Sequence, residues 1–245
     1  MEKPATRFSS LLFLVPLMVV AACNNGEWEA GPPQTETQTV KLGEAKSARV
    51  EIDMPAGELS VVSGATELLE ANFSYASASS KPQVDYNVSA GQGRLTVRQP
   101  GSSHGRRGGR NTWDLRLNNK VPMDLRVDQG AGRAKLNLGG LALSRLEVKI
   151  GAGETDVDLT GDWKNDLTAS IQGGVGRATV RLPTDVGVRA SAQGGIGAIH
   201  VHGLRKDGDA YVNEAYGKSP VTVNVDVKGG IGEINLEVGE APPSV

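Results

Sequence analysis

Apolar residues in this chain fall at alternate positions in short blocks, and glycine turns separate the blocks. Five blocks superpose on a Gly-x-Gly turn: Gly130-Ala-Gly132, Gly151-Ala-Gly153, Gly174-Val-Gly176, Gly195-Ile-Gly197 and Gly230-Ile-Gly232. The turns are 21, 23, 21 and 35 residues apart. Counted from the second glycine, position +4 is Leu136, Val157, Val180, Val201 and Leu236, and position +6 is Leu138, Leu159, Leu182, Gly203 and Val238. Positions +3 and +5 between them are mostly polar, among them Lys135, Asp158, Arg181, His200, His202 and Glu237. Period two with one apolar face predicts a half-buried strand after every turn. A second strand is predicted before each turn, as in Leu146–Ile150, Leu167–Ile171, Val186–Ala192 and Val221–Val227.

Two strands and two turns in about 21 residues make one coil of a parallel solenoid. The expected fold is therefore all-β: a single-stranded β-helix of six to seven coils over residues 40–240. An antiparallel β-sandwich is the alternative, because strand pairing is not visible in one sequence. Each coil leaves its inner face bare until a neighbour stacks on it. Weaker copies of the turn stand at Gly91-Gln-Gly93 and Ala56-Gly57, and two insertions, 100–120 and 204–220, interrupt the period. In solenoids such insertions become surface loops, where binding tends to concentrate.

Composition sharpens this picture. The chain has 32 glycines and only 4% aromatic residues, which suits many tight turns. A net charge of -2 lacks the concentrated basic face that nucleic acid requires. The single cysteine, Cys23, excludes an intramolecular disulfide and a multi-cysteine metal site. It also follows a short basic segment and the apolar run Phe8–Ala22, so residues 1–22 read as a signal peptide. The residues Val20-Ala-Ala-Cys23 resemble the lipobox of bacterial lipoproteins, which implies lipidation of Cys23. Residues 23–39 then form a polar, proline-containing tether. The expected address is the cell envelope: the outer membrane in a Gram-negative cell, given Asn24, or otherwise the outer face of the cell membrane.

The stretch from Trp113 through Gly132, continuing as Leu141–Gly153, resembles the toast-rack family of bacterial envelope proteins. The segment Tyr211–Val221, followed by Val227–Leu236, is similar to the close of the related LiaF-type C-terminal domain. The resemblance implies a glycine-rich, adhesin-like β-helix, and it brings no catalytic residues. LiaF-type relatives suggest a second role, modulation of envelope-stress or cell-wall-antibiotic responses.

Candidate chemistry is sparse. His200 and His202 would point the same way from one strand and could share a metal, but they occupy columns that hold Lys135, Asp158, Arg181 and Glu237 elsewhere. A solvated outer ladder is the simpler reading. Arg106, Arg107 and Arg110 form a basic glycine-rich loop suited to phosphate groups, although a solvated insertion has the same composition. Asp156, Asp158, Asp162 and Asp166 suggest a polysaccharide-active enzyme only weakly, since aromatic sugar platforms are scarce. Tyr211 and Tyr216 make a possible contact patch or cover a coil end. No catalytic residue, metal or cofactor is expected. The expected partners are the membrane through Cys23, an envelope protein or glycan, and another copy of the chain; nucleic acid is not among them.

Overall fold

The computed structural model describes residues 33–100 and 111–239. In chain order the elements are β1 (Gln34–Val40), β2 (Ser47–Ala65), β3 (Leu69–Tyr75), a 3-10 turn at Ala78–Ser80, β4 (Gln83–Ser89), β5 (Gln92–Arg98), β6 (Thr112–Asn118) and β7 (Met123–Asn137). There follow β8 (Leu143–Asp158), β9 (Leu167–Leu182), β10 (Gly187–His202), β11 (Arg205–Asp207), β12 (Ala210–Val212) and β13 (Thr222–Val238). All of these strands join one mostly parallel sheet, as a solenoid requires. The long strands β2, β7, β8, β9, β13 and β10 pair in parallel in that spatial order, so the sandwich alternative does not form.

Each long strand runs straight through its Gly-x-Gly turn. Gln129 pairs with Ile150, Ala131 with Ala152 and Gly132 with Gly153, so the register is the same on both sides of the corner. The glycines are therefore corners within one strand and do not separate two. Chain geometry requires the corner to bend. A straight β7 would be about 46 Å long at roughly 3.3 Å per residue. Yet Met123 lies beside Leu143, and the link from Asn137 to Leu143 spans at most about 21 Å. The two ends of the strand are thus close together, and its halves, here called the first and second arms, face a shared interior.

Burial supports the same bend. In β8 the inward residues are Leu146, Val148 and Ile150 before the corner, and Thr155 and Val157 after it. Inward parity changes across the glycines, and both arms contribute to one apolar cluster. The corner itself excludes side chains. Gly153 has φ 137°, and a Cβ built on it would overlap the carbonyl oxygen of Gly132 on the neighbouring rung. A Cβ on Gly151 would likewise overlap the Gly130 carbonyl oxygen. Only the middle residue can carry a side chain, and it points outward.

Three local expectations need correction. Gly91 and Gly93 are not a corner: Gly91, with φ 77°, sits in the hairpin turn between the antiparallel strands β4 and β5. The first insertion is shorter than 100–120, because Thr112–Asn118 is strand β6 and Trp113 is fully buried against Phe73, edge to face at 5.5 Å. The second insertion, 204–220, is no free loop, since β11 and β12 form a hairpin that extends the sheet. Ala56-Gly57, in contrast, is a true corner and pairs with Ala131-Gly132.

Chain order and spatial order also part company at the end of the stack. The last long strand, β13, lies between β9 and β10. A charged column explains why this order is favoured. One residue after each corner, the spatial succession reads Glu58, Arg133, Glu154, Arg177 and Glu233, and then Ala198 on β10. With β13 intervening, the alternation extends to Glu233; in chain order Arg177 would face the uncharged Ala198. Opposite charges across adjacent strands stabilise the pairing, and like charges oppose it.

Candidate interaction surface

The outer faces are ladders of ion pairs. On the second arm, Arg133 lies 3.0 Å from Glu154, and Arg177 reaches Glu154 at 3.7 Å and Glu233 at 3.0 Å. The hydrogen bond that Arg177 donates to Glu233 is the main reason that its guanidinium is held above its ordinary pKa. On the first arm, Arg126 bridges Asp128 at 2.7 Å and Glu147 at 3.2 Å. Lys149, 2.8 Å from Glu147, is the largest influence lowering that carboxyl. Such exposed pairs specify register more than they add stability.

The corner residues change along the stack. In spatial order they are Ala56, Ala131, Ala152, Val175, Ile231 and Ile196. Val175, Ile231 and Ile196 are 53%, 52% and 72% exposed, so an apolar ridge runs over the last three rungs. Beneath it lies a cavity of about 30 Å³, lined by Ile171, Val175, Ile196, Ile231 and Ile234 among others. That is room for about one water and no ligand.

This ridge meets the end of the stack, where the two arms of β10 differ. On the first arm, β12 pairs with Arg189 and Ala190, and Asn213 closes the turn behind it. The Asn213 side chain accepts from the Val188 amide at 2.9 Å and donates to the carbonyls of Val186 at 2.7 Å and Pro183 at 3.2 Å. On the second arm, no strand of the described residues pairs with the outer edge of β10. Ile199 and Val201 hold the columns of Ile234 and Leu236, which are 3% and 0% exposed one rung deeper. Ile199 is 40% exposed and Val201 half-buried.

Among the sequence candidates, Cys23, Arg106, Arg107 and Arg110 lie outside the described residues. Tyr211 lies half-buried on β12, and Tyr216, also half-buried, donates its amide to the Asn213 carbonyl at 3.4 Å. Both belong to the cover over the first arm. His200 and His202 are exposed on β10 beside Asn235 and Glu237. The aspartates do not converge. Asp158 is buried and accepts from the amide and hydroxyl of Thr160, Asp166 accepts from the Thr222 amide at 2.8 Å, and Asp162 lies 3.9 Å from Lys164. Among the described residues, no group of three His, Cys, Asp or Glu side chains is placed to hold a metal, and no helix is long and apolar enough to cross a membrane. Sequence reasoning missed Asn213, an asparagine in a turn-rich insertion with nothing in its neighbours to mark it. It also missed the open arm, which exists only because of strand order.

The chain matches the family described as the N-terminal domain of toast_rack (DUF2154) over residues 29–181. It belongs to the toast_rack family. Among solved structures, a candidate cell adhesion protein from Clostridium sporogenes shares 33% identity, with a TM-score of 0.82 over 84% of this chain and all of that one. A candidate adhesin from Bacteroides fragilis aligns over 84% of this chain and 97% of its own at 11% identity, but its TM-score of 0.30 supports no comparison of architecture. No curated protein matches. The toast_rack match ends at Arg181, within β9, so the open arm of β10 lies beyond it.

Proposed function

We propose that this protein is a non-enzymatic, adhesin-like component of the cell envelope. In this reading it is lipid-anchored through Cys23, and its single-stranded β-helix offers a rigid surface to an envelope protein or glycan. The observation that carries the reading is the likeness, at 33% identity over 84% of this chain and all of the other, to a candidate cell adhesion protein. A bent sheet whose rungs are locked by corners and charge ladders supports it, since such a scaffold keeps its surface pre-organised for binding. Gln34–Val40 pairs with β3, so the tether is shorter than 23–39 and would enter at β1, which lies eight strand spacings from β10 along the second arm. At about 4.8 Å per spacing, the β10 end would stand roughly 38 Å from the anchored end.

The test is membrane fractionation with mild crosslinking in cells that carry the native chain or Cys23→Ala. The native chain is expected in the membrane fraction, crosslinked to a defined envelope component, with the variant released and its crosslinks lost. An unchanged distribution of Cys23→Ala overturns the anchor. Absence of any crosslinked envelope component overturns the adhesin-like role.

A further inference from the structure

We infer that the open second arm of β10 is a docking slot for one extended polypeptide segment, which joins the sheet as its next strand. This rests on the interaction reading above and names both the place and the chemistry of the partner.

The outer edge of β10 has a row of backbone groups to satisfy. β13 pairs with β10 from Gly187 to His202 on one side, whereas on the other side β12 covers only Arg189 and Ala190. Beyond these two residues and Val188, whose amide and carbonyl Asn213 engages, that edge presents backbone donors and acceptors with no facing strand among the described residues. Another backbone satisfies such a row along its whole length, and a lipid or a sugar does not.

The same edge is apolar. Ile199 and Val201 are core positions left partly bare, and Ile196 continues the exposed ridge beside them. An incoming strand with apolar residues at alternate positions would cover this row as β13 covers it from the other side.

Charge placement agrees. Every other long strand carries Asp, Glu, Lys or Arg on its second arm: Glu58, Arg133, Glu154, Arg177 and Glu233 among them. The β10 arm, Ile196-Gly-Ala-Ile-His-Val-His202, carries none. Free edges are normally guarded by charge, proline or a bulge, and this one has no such guard.

The hairpin sets the width of the slot. On the first arm, β12 and β11 run two strands past β10, so they occupy the place where a second copy would need its own first arm. A single strand can join the second arm without displacing them. Ala210 and Val212 are each 1% exposed, but the residues opposite them on β11 are Asp207 and Arg205. Opposite residues in an antiparallel pair share a face, so the apolar floor ends after β12. The partner is therefore one segment of about seven residues, the length of Ile196–His202.

The probe is a fluorescein-labelled peptide of sequence GEINLEV, copied from Gly232–Val238, which packs against β10 from within. It is titrated into the full chain by anisotropy and footprinted by hydrogen exchange. Its control has the same side chains with alternate amides N-methylated. Saturable binding is expected, with exchange slowed over residues 196–202 and the control bound at least about tenfold more weakly. Ile199→Lys and Val201→Lys are expected to weaken binding by at least about tenfold, because a buried unpaired ammonium opposes docking. If either variant fails to fold, the footprint on the unaltered chain decides. No saturable binding, or a footprint elsewhere, overturns the slot. A dimer in sedimentation that protects 196–202 without peptide overturns the single-strand partner in favour of a second copy. Peptide binding at the slot without any crosslinked component in cells would instead count against the adhesin-like role alone.

Discussion

The two arms of β10 share one strand, one neighbour and one register, yet they end differently. On the first arm, Val188 and Ala190 are fully buried because the hairpin of β11 and β12 continues the sheet over them. On the second arm, Ile199 stands 40% exposed although its neighbour in the same column, Ile234, is covered. The difference teaches that stacking repeats does not finish a solenoid. A repeat covers the rung beneath it and leaves the same face bare at the end. Closing that face takes chain outside the repeat, and the insertion at 204–220 supplies enough for one arm only.

The largest effect is expected at the corner that both arms of a rung share. Gly153→Ala forces a Cβ into the Gly132 carbonyl at φ 137°, so both arms lose their corner. A destabilisation above about 4 kcal/mol is expected, seen in urea unfolding as loss of the cooperative transition. A sharper contrast pairs one column across two rungs. Ile234→Ala is expected to cost about 2–4 kcal/mol, and Ile199→Ala less than about 1 kcal/mol, from the same unfolding curves. Equal losses would mean that the second arm is covered in solution.

Asn213→Ala attacks the closed arm directly. It leaves the Val188 amide buried without its acceptor and frees two carbonyls, at a cost of about 1–3 kcal/mol. Exchange at residues 188–190 should then rise toward that of the open arm, and unchanged exchange there would show that the hairpin holds without this side chain.

The smallest effect concerns the seam between β10 and β13. Asp226 accepts a 2.6 Å hydrogen bond from Ser191, which is the main cause lowering its pKa, with Lys228 next. A carboxyl depressed in the folded state stabilises fully above its ordinary pKa, and that contribution vanishes as the pH falls through the folded value. Acid should therefore erode the stability of the native chain more than that of Ser191→Ala. Parallel curves of urea midpoint against pH for the two proteins would remove Ser191 from this account.

Alternating residues and recurrent glycines made the strands and corners legible. Leu136, Val157, Val180 and Leu236 all lie in the interior at the positions their spacing from the turn predicts. Less legible was the continuity of each strand through its corner, because Gly-x-Gly ordinarily marks a turn between strands. Here the ladder persists, since glycines from successive rungs approach too closely for any side chain. Gly91-Gln-Gly93 carries the same spaced glycines, but it joins the antiparallel strands β4 and β5 and serves as a hairpin turn.

By itself, then, the sequence determined an all-β stack of alternating arms with glycine at each corner, because period two and the steric demand of the corner are local properties. Only the tertiary structure decided the order of the rungs. Every rung presents the same apolar columns inward, so the interior accepts any succession of them. What separates them is contact between neighbours, above all Glu233 against Arg177, and the hairpin that leaves β10 outermost on one arm. These contacts join residues far apart in the chain, and they acquire meaning only once the strands lie side by side.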